Sequence, residues 1–368
     1  MPRLPHLSLL GIALVGCTSE PVALPTGPTV ALVDSVVVAD ADTFPRREGA
    51  RTLAMSPRGD LFAEIIDGVV QFAPDGELVR RLGGAGEEPG SLRQVSGMAV
   101  EPGGTTLAVM SVGRSRLVRF RIRDGRLLGE VTVPEPVEVG QHWLFEGDTV
   151  RIPALMGGTG FRRWIPRRNT VDSWGQSPPS PLGSTRGYLV GGEFAAARHD
   201  ADLLATVPGD STLALYGPAG WVKGKVTLPV VRRGLATGTP EEQLRQMMQP
   251  GAQNDGVVVP TVLGVHRRPD GSYVVVHYQS ESQDLEGTSR LEFARANYWI
   301  SLLSADLAQG CVDGQLPDPP AELVRPIFHG DTVSLYVRHE SAGDGVRHVL
   351  RKYLVSETGC QWLPVGSG

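Results

Sequence analysis

The stretch that most constrains the fold is Pro74 to Val133, PDGELVRRLGGAGEEPGSLRQVSGMAVEPGGTTLAVMSVGRSRLVRFRIRDGRLLGEVTV, which leaves no room for a helix. Val118, Phe120 and Ile122 alternate with Arg119, Arg121 and Arg123. A period of two predicts a strand with one apolar face and one face in water. Asp124-Gly125 follows at once, the residue pair of a tight hairpin in which both positions take positive φ. Leu127 to Val133 then returns as a further apolar run. The stretch predicts one four-stranded antiparallel unit, repeated along the chain.

The repeat is marked by a turn before a β-rich run. It occurs as Pro57-Arg58-Gly59-Asp60, Pro102-Gly103-Gly104, Glu146-Gly147-Asp148, Pro269-Asp270-Gly271 and His329-Gly330-Asp331, with a weaker copy at Arg198-His199-Asp200. A short apolar strand precedes each turn, from Leu53-Met55 in the first copy to Pro326-Phe328 in the last. Another follows, from Leu61-Ile65 to Val333-Val337, and third strands lie beyond, such as Val69-Phe72, Thr212-Tyr216 and Val349-Leu354. The first spacings are about 44 residues, the range of propeller blades. The 46 Gly and 29 Pro suit a chain that turns this often. A lone four-stranded sheet has apolar faces to bury and two raw edges, and radial stacking of several sheets solves both problems. The fold class expected is therefore all-β, a six-bladed β-propeller of four-stranded antiparallel blades.

The last copy runs out after its third strand, near Glu357, while Val30 to Ala39 (VALVDSVVVA) is a strand with no repeat to join. The expected closure makes this N-terminal strand the outermost strand of blade six, paired with Val349 to Leu354. Strict alternation puts Val33, Ser35 and Val37 on one face and Leu32, Asp34, Val36 and Val38 on the other. Two insertions interrupt the pattern. Residues 232–260 contain the one evident helix, opened by Thr239-Pro240-Glu241-Glu242 and stopped by Pro250-Gly251. Residues 280–295 lie inside blade five.

The first residues carry an address. Arg3 is followed by an apolar run from Leu7 to Val15, too short to span a bilayer but suited to a secretory signal. The run ends in Leu14-Val15-Gly16-Cys17, which resembles the bacterial lipobox. That resemblance implies cleavage before Cys17, lipid on its thiol and, with Thr18 in place of Asp, an outer-membrane destination. The expected domains are a lipoprotein signal peptide at 1–16, a lipid-anchored tether at 17–28 and a propeller at 29–364. Two cysteines remain, Cys311 and Cys360. Export permits a disulfide between them, and two buried thiols are the alternative.

Phe72 to Phe120 also resembles the NHL-type six-bladed propellers. Leu82 to Leu92 matches their G-x-x-G-x-x-P-G corner, and Arg116 matches the Arg that opens their third strand. Bacterial lipoproteins with such propellers are similar in layout throughout.

Signatures of catalysis are thin. Gly83-Gly84-Ala85-Gly86 lacks the following helix that a dinucleotide fingerprint needs. His339-Glu340 begins a zinc-protease motif without its second His, and Asp40 and Asp42 begin a calcium loop that Phe44 interrupts. The basic run Phe161 to Arg168 offers arginines for an anionic ligand and Trp164 for stacking, or else is a strand with arginines in water. Seven of the eight histidines (His142, His199, His266, His277, His329, His339 and His348) lie beyond the expected leader and recur in different blades, where some could meet in the channel and bind metal. With a net charge of −5 and an export signal, nucleic acid is not expected as a partner. No cofactor is expected. The reading is a lipid-anchored envelope module that binds or scaffolds a protein or carbohydrate ligand. The alternative is a metal-dependent hydrolase or lyase with its site in the central channel, as in the lactonases that share this architecture.

Overall fold

The computed structural model describes residues 26–39, 50, 52–133, 143–147, 149–153, 159–168, 170–176, 195–207, 211–229, 255–284, 291–317, 324–341 and 345–367. They form six antiparallel sheets arranged as the blades of a propeller. Blade one is Leu53–Met55, Leu61–Ile65, Gly68–Phe72 and Leu78–Leu82. Blade two is Val95–Val100, Thr106–Ser111, Arg116–Arg121 and Leu127–Thr132. Blade three is Leu144–Glu146, Thr149–Pro153, Thr159–Ile165 and Thr170–Gln176. Blade four is Ala196–His199, Asp202–Thr206, Thr212–Tyr216 and Val222–Thr227. Blade five is Asp255–Arg267, Tyr273–Asp284, Leu291–Leu303 and Gln309–Gln315. Blade six takes Val324–His329, Thr332–Ser341 and Gly345–Ser356 from the C-terminal part of the chain and Thr29–Ala39 from its start.

Several expectations need correction. Pro74 to Val133 is not one unit: Leu78–Leu82 is the outermost strand of blade one, and blade two begins at Val95. Asp124-Gly125 is not a two-residue turn. The Gly125 N–H donates to Arg121 O, and of the pair only Gly125 is left-handed, at φ 72°. Arg119 does not simply face water, since its guanidinium pairs with both oxygens of Glu101, at 2.6 and 2.5 Å. Within the segment 280–295, expected as an insertion, residues 280–284 and 291–295 are strand. They continue the second and third strands of blade five as a ladder from Ser280↔Ala296 to Asp284↔Leu291. Of the 232–260 insertion, Asp255 to Pro260 belongs to the first strand of that blade. The helix expected at Thr239 to Pro250 lies outside the described residues, as do Cys17, Asp40 and Asp42.

The repeated turns do what their composition requires. Gly59, Gly103, Gly104, Gly147, Gly271 and Gly330 all take positive φ between the first and second strands of their blades. Blade four has no glycine there, and Asp200 adopts φ 54° instead. Asp tolerates this left-handed region better than most residues, which is why the weaker copy still turns. The glycine-rich corner after blade one is held by Arg114, whose guanidinium donates to the carbonyls of Gly86, Glu87, Glu88 and Ser91.

The buried apolar side chains fall into six clusters, each spanning one junction between neighbouring blades. Phe62, Val69 and Leu82 of blade one meet Leu107, Val109, Val118 and Phe120 of blade two. The other face of blade two, with Met110 and Leu117, meets Ile152 and Trp164 of blade three. Three meets four through Phe161, Trp174 and Tyr216, four meets five through Leu213 and Val275, and five meets six through Ile300 and Tyr353. The sixth cluster closes the ring, joining Phe72 and Val70 of blade one to Tyr336 and Leu350 of blade six. Every blade therefore buries both faces of its middle strands, which explains why those strands read as near-continuous apolar runs.

Closure has two parts. Thr29–Ala39 pairs antiparallel with Gly345–Ser356 from Thr29↔Ser356 to Ala39↔His348, the register direction expected from the unpaired N-terminal strand. Its face pattern differs from strict alternation, because the register shifts between Leu32 and Asp34 and again between Val37 and Ala39. These bulges put Leu32, Ser35 and Val37 opposite Tyr353, Arg351 and Val349, while Asp34 and Val36 oppose Lys352 and Leu350. One extra residue flips the side of everything that follows it. The second part was not legible in the sequence. Beyond the third strand of blade six the chain runs back around the rim. Leu363–Pro364 pairs with the outer strand of blade five and Gly366–Ser367 with that of blade four. The same detour carries Cys360 to Cys311, with Cα atoms 5.7 Å apart and the sulfurs bonded. Equivalent outer positions on adjacent blades diverge, but Cys360 has left blade six by this point. Thr26 O accepts from Gln361 N–H at 2.9 Å, so both ends of the described chain cross at one place.

Two outcomes test this closure. Deleting residues 18–40 removes the packed side chains of Val30, Val36 and Val38, each worth about 1.5–3 kcal/mol when fully buried. It also uncovers the ladder of blade six, so a lower melting temperature or aggregation is expected, and an unchanged melt means that the strand does not close the ring. Reduction of the Cys311–Cys360 bond frees a loop of 49 residues in the unfolded chain, which the loop-entropy relation values at about 4 kcal/mol. The melting temperature should fall on reduction, and the Cys360→Ser chain should show the same fall without reductant.

Candidate functional site

The first strand forms one edge of each blade, and those of blades one, two, four, five and six approach their neighbours' first strands around the axis, so the turns that follow these strands gather at one mouth of the ring. On blades three to six this mouth carries a continuous arc of charged and aromatic side chains. Glu146 of blade three binds Arg151 Nε at 2.7 Å through one oxygen and Arg198 Nη2 of blade four at 3.5 Å through the other. The Arg151 guanidinium lies 3.7 Å over the ring of Trp174, a cation–π contact. Asp200 of blade four binds Arg267 of blade five at 3.0 Å. Arg268, nearly buried, reaches Asp270 at 3.3 Å, Asp331 of blade six at 3.0 Å and Glu357 at 3.3 Å.

Aromatic contacts run parallel to these ion pairs. Tyr273 of blade five donates its hydroxyl to Arg198 O at 3.1 Å, and that hydroxyl lies 2.8 Å from His199 Nδ1. Burial pushes the Tyr273 hydroxyl up to about 12, so it stays a proton donor at any physiological pH. His266 of blade five stacks on Phe328 of blade six, with centroids 5.3 Å apart and planes 7° from parallel. Burial, and then the nearby His329, hold the His266 imidazole below its ordinary pKa, opposed by Asp331.

The structure brings some of the sequence candidates together and separates others. His199, His266 and His329 do lie at the same mouth, but His199 and His266 serve contacts between blades. Among the described residues no group of three or more His, Cys, Asp or Glu is arranged to hold a metal ion. His142 and the side chain of His339 lie outside the described residues. His348 is buried on the Tyr336 hydroxyl, 2.8 Å away. The run Phe161 to Arg168 is no stacking platform: Phe161 and Trp164 are buried in opposite junctions, and Arg163 pairs with Asp172 across the ladder. Arg167 and Arg168 remain exposed at the hairpin end.

Blade five holds a combination that the sequence did not suggest. His277, Ser301 and Asp313 meet in its interior, with His277 Nε2 2.8 Å from Ser301 Oγ and 3.7 Å from Asp313 Oδ1. A nucleophilic relay needs the hydroxyl and the carboxylate on opposite ring nitrogens, in reach of substrate. Here both approach the same nitrogen and the imidazole is fully buried, so this is a polar knot in a blade. The mouth residues Glu146, Arg198, Asp200, Arg267, Arg268, Tyr273 and Asp331 were also missed as a group. They flank the repeated turns, which as sequence serve only as register marks.

No protein-family model matches the chain, and no curated protein matches it. The likeness to solved structures is one of fold. A member of the DUF4221 family from Bacteroides vulgatus superposes with a TM-score of 0.58 at 11% identity, over 90% of this chain and 99% of that one. A protein from Bacteroides fragilis described as exported gives a TM-score of 0.48 at 11% identity, over 89% and 95%. Hydrazine synthase from Kuenenia stuttgartiensis gives 0.44 at 14% identity, over 79% and 74%. The class of protein is thus a six-bladed β-propeller with an ion-paired mouth.

Linkage gives the arc a pH signature. A His whose folded pKa is depressed stabilises the fold fully above its unfolded value, about 6.5, and loses that contribution as pH falls toward the folded value. The melting temperature should therefore fall between about pH 7 and about pH 5. His266→Phe keeps a ring against Phe328 and removes the titration, so its melt should fall less over that window, with His329 and Asp331 left in place. An equal fall in both chains means that His266 does not govern the junction of blades five and six.

Proposed function

We propose that the protein is a lipid-anchored propeller of the bacterial envelope, NHL-like in layout, that binds or scaffolds a protein or carbohydrate ligand at the mouth formed by blades three to six. The observation that carries the address is Leu14-Val15-Gly16-Cys17 at the end of an apolar run. It is supported by the position of the strand that follows, Thr29–Ala39, which is the outermost strand of blade six. Among the described residues no helix is long and apolar enough to cross a membrane. The binding reading is supported by the arc itself. Its charges are linked by ion pairs within and between blades, and Arg198, Asp200 and Arg267 keep part of their surface in solvent. Such a rim suits polar recognition by a rigid scaffold.

Replacing Cys17 by Ser should abolish palmitate labelling and release the protein from membranes, and retention of label or of membrane attachment sinks the anchor. For the mouth, Arg198→Glu together with Arg267→Glu should abolish capture of envelope proteins or glycans by the purified propeller. Stoichiometric divalent metal in the purified chain favours the hydrolase or lyase alternative instead.

A further inference from the structure

Large apolar side chains exposed to solvent are unevenly placed. Among the described residues there are nine, and eight of them lie on blades six, one and two: Leu32, Val33, Val37, Leu354, Ile66, Leu78, Val79 and Leu128. The ninth, Trp221, is on blade four. Five of them lie on the outermost strands of two adjoining blades, Leu32, Val33 and Val37 on blade six and Leu78 and Val79 on blade one, with Leu32 and Val37 on the face of Tyr353, turned toward blade five, and Leu78 opposite Phe72. Val33 and Val37 are 56% and 53% exposed, Leu78 and Val79 are 42% and 41% exposed, and Leu32 is 39% exposed. These two strands are physically adjoining: a Cβ on Gly76, two residues before Leu78, would sit 2.3 Å from Val37 O.

An exposed apolar edge strand is ordinarily a site for another strand to pair. This edge is poorly suited to that. Its register breaks twice, once at Val33 and once at Val38, and bulges bend an edge and interrupt the row of donors and acceptors that a partner strand needs. What remains is apolar side chains without a regular hydrogen-bonding edge, which fits a fluid apolar surface better than a second sheet. The tether says which surface lies within reach. The described chain starts at Thr26, fixed by Gln361, and Cys17 lies nine residues earlier, a span of at most about 30 Å when extended. The tether feeds directly into the strand that carries Leu32, Val33 and Val37.

We infer that the rim of blades six and one rests on the bilayer, with Leu32, Val33, Val37, Leu78 and Val79 in the interfacial region, so that the ring stands edge-on and its mouths face along the membrane. This rests on the reading of Cys17 as the anchor. Interfacial binding of this kind scales with the apolar area buried and adds to a single acyl anchor that holds only marginally alone.

The test uses the full chain reconstituted into vesicles of phosphatidylethanolamine and phosphatidylglycerol that contain a photoactivatable diazirine lipid. Adducts are mapped by peptide mass, and acylation of Cys17 is read from the N-terminal peptide of the same sample. Labelling should concentrate in residues 29–39 and 76–82 and stay at background around Trp221. Val33→Ser, Val37→Ser and Leu78→Ser together should cut it by about an order of magnitude at an unchanged melting temperature, since these side chains are already exposed. The single Leu78→Ser change serves as a second variant should the triple change lower the melt, and should cut labelling of 76–82 alone. Acylated Cys17 with uniform labelling, or with labelling at blade four, overturns the proposal and leaves the anchor standing. Cross-linking of this rim to a second copy overturns it in favour of a dimer. An unacylated Cys17 overturns the anchor and this proposal together.

Discussion

Everything in this molecule depends on blades that are apolar on both faces. Leu107 and Val109 of blade two point into one junction and Ala108 and Met110, their neighbours in the same strand, into the next. No blade can bury both faces alone, and a linear stack would always leave two faces bare. The ring is the arrangement in which none is left, and its sixth junction, between Phe72 and Leu350, is between parts of the chain far apart in sequence. The price is loop-closure entropy, modest even for so long a loop because it grows only with the logarithm of length. Blade six accordingly recruits its outer strand from the chain start, and the C-terminal tail crosses outward over blades five and four.

The polar mouth follows from the same packing. Once apolar contacts fix the distance between blades, the turns after the first strands are brought close enough for Glu146 to meet Arg198, Asp200 to meet Arg267 and Arg268 to meet Asp331. Exposed pairs of this kind add little stability each. Their larger effect is on surface character: an arc of guanidinium and carboxylate groups held on rigid turns, with the Tyr273 hydroxyl and the His199 ring oriented by one shared hydrogen bond. Stability and surface charge are thus divided between the interior of the junctions and their rim.

Much of this was written locally. Alternation, turn glycines and spacing sufficed to count six blades and to place most of their inner strands, and an unpaired run at the start was enough to expect the clasp. The turn at Asp200 was legible as a weaker copy because Asp shares part of glycine's tolerance for positive φ. The faces of the clasp strand were not legible. Two bulges, at Val33 and Val38, reset the alternation, and a bulge depends on the partner strand's register, which a single strand does not encode. The tail was hidden for a related reason: Leu363–Pro364 and Gly366–Ser367 are two-residue strands, too short to have a period.

The sequence by itself determined the class of fold, the number of blades and the direction of closure, because each of these is carried by contiguous residues. The tertiary structure decided which side chains meet. Cys360 reaches Cys311 only because the tail leaves blade six, Arg268 gathers three carboxylates from separate turns, and Trp164 vanishes into a junction instead of serving a ligand. Those outcomes depend on the distance and angle between sheets. These are set by the summed packing of all six junctions, and no local stretch of residues encodes such a sum.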